Sequence, residues 1–272
     1  KNDLDAMSDA EIMASFDLAY EMTACVSYHV LITQLLMSAY NGILRGHLKK
    51  CGLDADALDV TANTPELASY DPAPHLARLR DQFGALDRFT RERLLEGGCE
   101  AVRAEIYNLD PRIAGFCRAF VAFMDRFGFL GDNTNDITSR RWREQPDVAL
   151  SMIARFTPRA ASRKLAWGDL PLSALRRWMM GPLYRRARAF RLYREELGYY
   201  YAYSSGLIRC AALALGGRWA QRGWIAQPED IFDLYRDEVH AVAAQGQPAS
   251  DLAATIAARR REMCAYESVA LP

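Results

Sequence analysis

Residues 9–50 read DAEIMASFDLAYEMTACVSYHVLITQLLMSAYNGILRGHLKK, forty-two residues without a proline. Apolar side chains recur at three- and four-residue spacing along this stretch, the period of one helical face. Ser8 followed by Glu11 makes a capping box at its start, and Asp9 places a carboxylate in the first turn, where the helix dipole favours it. Gly52 after Lys49-Lys50 is a C-terminal stop. Ser27 to Tyr40 is apolar nearly all round, which predicts a helix buried on most sides.

Working outward, the same signals repeat. Pro65, Pro72 and Pro74 among Asp, Asn and Thr mark 53–75 as a loop or short turns. An amphipathic helix is predicted from His75 to about Leu95, ended by Gly97-Gly98, and a short one from Cys99 to Asn108. Pro111 occupies a first helical position and opens a helix through Phe127. Residues 128–141 form a Gly/Asn/Asp-rich central loop, and helix returns from Trp142 to Phe156, interrupted by Pro146. Leu170 to about Leu215 reads as one or two long helices, with Gly181-Pro182 as the expected break. Gly223 ends that region, Gln227-Pro228-Glu229-Asp230 opens the next helix, and a last helix runs from Ser250 to about Tyr266. Alternating Val/Ile/Thr runs are almost absent. The expected fold is therefore all-α: a single multi-helix domain over 1–272.

Composition narrows the function. Thirty-four basic residues balance thirty-four acidic ones, so nucleic-acid binding has no electrostatic support at the level of the whole chain. The unbroken apolar stretches fall short of the ~20 residues of a membrane span. The start, Lys1-Asn2-Asp3, is polar and lacks Met, which reads as a fragment boundary without a signal peptide. The six cysteines are scattered without a CxxC pair, which argues against zinc and for reduced thiols in a cytoplasmic protein.

No GxxxxGK[ST] phosphate loop, GxGxxG, GxSxG or HExxH is present. The four histidines lie in separate segments and read as packed or surface residues. Asp132, Asn135 and Asp136 offer oxygen ligands to a hard cation, but without EF-hand spacing; capping and turning the backbone is the favoured role. Arg140-Arg141-Trp142-Arg143 suits an anion, or pins the loop through ion pairs, and the second is favoured. The tyrosines of 199–203 suit a core edge or a flat ligand alike. His29, Thr33, Leu36 and Tyr40 share one stripe of the first helix, with polar handles among apolar neighbours; core packing is the default reading there, and a pocket wall the alternative.

A resemblance enters in the C-terminal third. Arg194-Glu195-Glu196, Leu207-Ile208-Arg209, Leu215-Gly216, Gly223-Trp224-Ile225 and Pro228 to Leu234 follow one another as in the central helical region of the phosphoenolpyruvate-utilising enzyme superfamily. The likeness is greatest to rifampicin phosphotransferases and phosphoenolpyruvate synthase-like proteins. Arg259-Arg260-Arg261-Glu262, Tyr266 and Pro272 resemble that family's exit toward a swivelling domain. Gly128, Gly131, Asp136-Ile137, Arg141-Trp142 and Pro146 resemble its Gly-His-Arg-Gly-x-x-Glu-x-Asp-Ile loop and following Arg-Trp-x-Glu-x-Pro element. Phe129, Leu130 and Thr134 depart from it, replacing His, Arg and Glu.

The resemblance implies a parent system of dikinase type: an ATP-binding domain, this helical region holding the acceptor, and a mobile phosphohistidine domain. The signatures of the other two parts are absent from this sequence, so ATP and magnesium are expected only on them, with no cofactor or metal here. Phosphoryl transfer needs a charge clamp that this chain alone does not supply. The expected function is small-molecule binding, the guest being apolar or aromatic and contacted by His29, Thr33, Tyr40, Phe129, Leu130, Tyr201 and Arg209, the last orienting an anionic or carbonyl group. Asp132, Asp136, Arg141 and Trp142 are expected to hold the loop. The partners implied are that ligand and the two missing domains, in cis or in trans, with no nucleic acid and no membrane. The alternatives are a scaffold that docks partner domains without a pocket, and a stand-alone enzyme of unrecognised chemistry.

Overall fold

The computed structural model describes residues 4, 6–62, 64–157 and 165–267. The end of the predicted exit segment, including Pro272, lies outside them. Among the described residues there are eight α-helices: α1 (Asp9–Lys50), α2 (Ala73–Gly84), α3 (Arg88–Ala104), α4 (Pro111–Phe127), α5 (Pro146–Arg155), α6 (Ala174–Gln221), α7 (Arg236–Gln245) and α8 (Leu252–Glu267). Among the described residues the only β pairing is one isolated parallel bridge between Leu58 and Leu165. The all-α expectation holds. Backbone contacts gather the chain into two compact units: residues 1–23, 132–140 and 203–272 in one, 24–131 and 141–202 in the other. Helices α1 and α6 contribute to both.

Local chemistry accounts for the helix ends. The Ser8 amide donates to Glu11 Oε2 at 2.7 Å, and the Glu11 amide donates back to Ser8 Oγ at 3.3 Å, the reciprocal box that starts α1. Asp87 and Asp110 cap α3 and α4 through their side chains, and Pro111 takes the first helical position of α4. Helix α3 bends at Gly98, whose φ of +59° is open to glycine alone at low cost. An added Cβ there would lie 2.4 Å from Asp147 Oδ1, the oxygen that accepts from the Cys99 amide at 2.7 Å. Asp147 thus caps the helix that restarts after the kink.

The helix expected from His75 to about Leu95 is two, α2 and α3, and the second runs on through Gly97-Gly98 to Ala104; three further expectations are corrected. Pro182 does not break α6, which runs through it for forty-eight residues. Met180 and Ala187, on either side of the proline, are buried in one cluster with Leu44, Leu48 and Leu170. That shared burial outweighs a cost of about 3 kcal/mol for proline inside a helix. Pro228 opens a 3-10 turn to Asp233, not an α-helix; α7 begins at Arg236. The third correction concerns α1. Within 27–40 only Thr33 and Met37 are buried, whereas Tyr28, Leu31 and Leu35 are 64, 67 and 72% exposed. Thr33, Met37, Leu44 and Leu48 form the covered stripe, and the opposite face is apolar and bare. Moreover α1 is long and apolar enough, by length and composition, to cross a membrane. It carries no Asp, Glu, Lys or Arg between Glu21 and Arg45. Counting unbroken apolar runs missed this, because Ser27, Thr33, Gln34 and Ser38 punctuate the stretch without charging it.

In the first unit, Ile12, Leu215, Trp219, Ile225, Val239 and Ile256 centre the core. Charged pairs tie its rim. Arg218 and Arg222 donate to the two oxygens of Asp9 at 2.8 and 2.6 Å, Arg236 donates to Asp17 at 2.6 Å, and Arg260 donates to Asp230 at 2.7 Å. In the second unit α2–α5 enclose an aromatic core of Phe83, Phe116, Phe120, Phe123 and Phe127.

Two measurements test this packing. At Gly216 an added Cβ would lie 2.2 Å from the Pro228 carbonyl oxygen, whereas at Gly217 it would meet open space. Gly216→Ala is expected to lose about 1–3 kcal/mol in urea unfolding. Gly217→Ala should be neutral or gain up to about 1 kcal/mol from helix propensity. Equal effects would contradict the close approach. The second test is acid. Burial would raise the Asp9, Asp17 and Asp230 carboxyls, but hydrogen bonds from their arginines outweigh it and hold all three below the usual range. A carboxyl lowered in the folded state stabilises fully above an unfolded pKa of about 3.9 and loses that contribution as pH falls through the folded value. Urea midpoints should therefore drop below about pH 4, and Asp230→Asn should flatten that drop.

Candidate functional site

The central loop is held from both ends. The Trp142 amide donates to the Leu130 carbonyl at 2.7 Å and the Arg143 amide to the Gly128 carbonyl at 2.8 Å, which pins the second-unit flanks. Trp142 stacks over Phe123 at 5.9 Å. Arg141 is buried, and its amide donates to Glu144 Oε1 at 3.2 Å. Phe129 is buried with its ring edge-on to Tyr199 at 5.0 Å, and half-buried Leu130 packs on the same aromatic core. The apolar replacements at 129 and 130 thus have a packing partner each.

Within the first unit, residues 132–140 rest on buried groups of α6. Arg209, fully buried, donates through one terminal nitrogen to the Ile137 and Thr138 carbonyls at 2.9 and 3.0 Å. Its guanidinium lies over the Phe232 ring at 5.1 Å. Ser205 donates to the Thr134 carbonyl at 3.2 Å. Asp136 closes a local turn by accepting from the Thr138 amide and hydroxyl, while Asp132 is exposed.

The remaining sequence candidates fall in different surroundings of the second unit. Exposed His29 turns its ring back to the Cys25 carbonyl, 2.8 Å away. Thr33 is buried, Tyr40 stacks on Phe190 at 5.3 Å, and Tyr201 is half-buried. Tyr40 belongs to the cluster around Leu44, whereas Leu130 belongs to the core of α2–α5 and Phe129 meets Tyr199 at its edge. Arg209 belongs to the other unit. Among the described residues no three His, Cys, Asp or Glu side chains gather as a metal site.

A concavity is found at residues that the sequence reading passed over. An open groove of 530 Å³ at the start of α6 is lined by Trp167, Leu172, Arg177, Trp178, Gly181 and Arg185. Trp167 is locked in a parallel stack on Tyr184, 4.5 Å between centroids. Trp178 is 77% exposed. Arg177 is fastened through a terminal nitrogen to the Leu170 carbonyl at 2.7 Å, and its solvent-shielded Nε–H has no protein acceptor. At Gly181 the Arg185 Nη1 lies 3.6 Å from where a Cβ would stand. Arg185, exposed, makes no ion pair among the described residues, nor do neighbouring Arg176 and Arg186. Between Asp169 and Glu195 the sequence holds seven arginines and no acid. That charge run beside Trp178 was the available signal; whole-chain neutrality hid it. The groove can stack a flat body and pair an anion.

Arg209→Met removes a buried donor pair from the 132–140 segment. It is expected to cost about 2–4 kcal/mol and to speed amide exchange in that segment, while exchange in α4 stays unchanged. Unaltered exchange at 132–140 would show that the segment does not depend on Arg209.

Comparison with known proteins bears on the whole arrangement. The rifampicin phosphotransferase fourth domain matches residues 29–195. A rifampicin phosphotransferase of Streptomyces sviceus is 32% identical over 149 residues, covering 47% of this chain and 17% of that protein. One from a Streptomyces species is 28% identical over 203 residues, covering 67% of this chain and 21% of that protein. The chain spans about a fifth of the length of these relatives.

Proposed function

The chain belongs to the rifampicin phosphotransferase fourth-domain family, a helical region of the phosphoenolpyruvate-utilising kind, and we propose from that premise that it binds the acceptor for a phosphotransferase. The ATP-binding and phosphohistidine functions then belong to other segments, in cis or in trans. The family match across 29–195 carries this reading. It is supported by the lack of a phosphate-loop motif in the sequence and of a metal-holding cluster among the described residues, because moving a phosphoryl group needs a charge clamp around it. The acceptor is a largely apolar or aromatic small molecule of the kind the relatives are named for. This reading assigns the chain to the cytoplasm, where ATP is available.

A second reading rests on a specific observation, the bare apolar stripe of Tyr28, Leu31, Ile32 and Leu35 on α1. Such a stripe suits docking against another domain, and on this reading the chain is a scaffold.

Thermal shift with rifampicin and with ATP separates these ideas. A ligand that binds only the folded chain at a hundred times its Kd adds about 2.7 kcal/mol. A saturable rise with rifampicin and no ATP consumption by the chain alone are the expected results. No shift with rifampicin or related polyketides, or turnover of ATP by the isolated chain, would overturn the acceptor reading. Leu31→Glu with Leu35→Glu should leave rifampicin binding intact. Loss of association with the ATP-binding and phosphohistidine segments in that variant would favour the scaffold.

A further inference from the structure

We propose that the groove at the start of α6 is a binding site for a planar organic anion, an aryl phosphate or aryl carboxylate. The inference stands on the groove itself and not on the acceptor reading above.

Four observations converge. The groove is open to solvent and offers about 530 Å³, room for a small flat guest lying along one side. Its aromatic walls differ in freedom. Trp167 is fixed by its stack on Tyr184, whereas Trp178 is 77% exposed and makes no ring contact among the described residues. A flat guest lying against Trp167 gains a wall already in place, and covering Trp178 removes a large apolar surface from water.

The charges have one sign. No carboxylate lines the groove, and Arg185, Arg176 and Arg186 have no ion-pair partner among the described residues. Elsewhere in this stretch the arginines are engaged: Arg188 donates to Thr64 at 3.0 Å, and Arg191 pairs with Glu195 at 3.1 Å. The unpaired cations thus gather at the groove end of the run. Arg177 adds its charge to this end of the run, fastened in place by its bond to the Leu170 carbonyl at 2.7 Å.

The backbone supplies the fourth observation. Gly181 carries no side chain between Trp178 and Arg185, and Arg185 Nη1 lies 3.6 Å from where its Cβ would be, so the Arg185 guanidinium rests along the helix within the groove.

Isothermal titration of the full chain with 2-naphthyl phosphate and with neutral 2-naphthol tests the proposal. The phosphate is expected to bind at least about tenfold more tightly than the naphthol, the scale of one charge-assisted contact. Arg185→Gln and Trp178→Ala, both at exposed positions that leave the fold undisturbed, should each weaken the phosphate about five- to tenfold. Arg112→Gln on α4 should not. Equal affinity for the two probes would overturn the anion, and indifference to Arg185→Gln and Trp178→Ala would overturn the location. Absence of any binding would overturn the site. Binding to phosphatidylglycerol vesicles without binding of free naphthyl phosphate would assign the patch to a lipid surface instead. Loss of this site leaves the rifampicin result unaffected, so the two readings fail separately.

Discussion

The architecture depends on two helices that are each too long for one core. α1 and α6 run for forty-two and forty-eight residues, each more than the roughly 20 helical residues that match the width of a small domain. Each must satisfy two packing environments along one continuous backbone. In α1, Ile12 and Met13 join one core and Leu44 and Leu48 another. In α6, Met180 and Ala187 serve the second unit while Leu215 and Trp219 serve the first. The stretches between these anchors carry different faces, and there the apolar pattern ceases to mean burial. The continuity of α6 through Pro182 follows from the same demand, because a break would separate Met180 from Ala187.

Much of the fold was legible because helix ends are local chemistry. Ser8 with Glu11, Pro111 through Phe127 and the Gly223 stop at φ +74° needed no knowledge of distant residues. What covers a helix face is not local. The run from Ser27 to Tyr40 looks internal by composition, yet only two of its residues are buried. The candidate site suffered the same loss. Phe129 and Leu130 drew attention by departing from a family pattern, and each has a packing partner that explains its apolar character. Arg209 was expected, through the family resemblance, to orient an anionic or carbonyl group, and one of its nitrogens is occupied by two backbone carbonyls. Trp167 and Arg185 meet across a stretch of loop and helix that periodicity does not connect.

Net neutrality also conceals structure. Equal totals of acid and base exclude a strong uniform field, but they do not forbid a local one. In the first unit, acids and arginines are interleaved and consumed by pairing, as at Asp9, Asp17 and Asp230. In the opening half of α6 the arginines accumulate without acids in the sequence. Fields of this kind act over about a Debye length, 8–10 Å at ordinary salt, which is the reach of a small ligand and not of the whole molecule.

The unequal settings of the five tryptophans have an optical consequence. Trp219 is wholly enclosed, Trp142, Trp167 and Trp224 are half-covered, and Trp178 projects into water. Indole emission shifts to longer wavelength as its surroundings become polar and mobile. Light collected at the red edge of the spectrum therefore comes preferentially from the rim of the α6 groove, and the blue edge from the interior of the first unit. The molecule carries two built-in lamps of different colour, so that events at its surface and the integrity of its interior can be followed in one cuvette without a label.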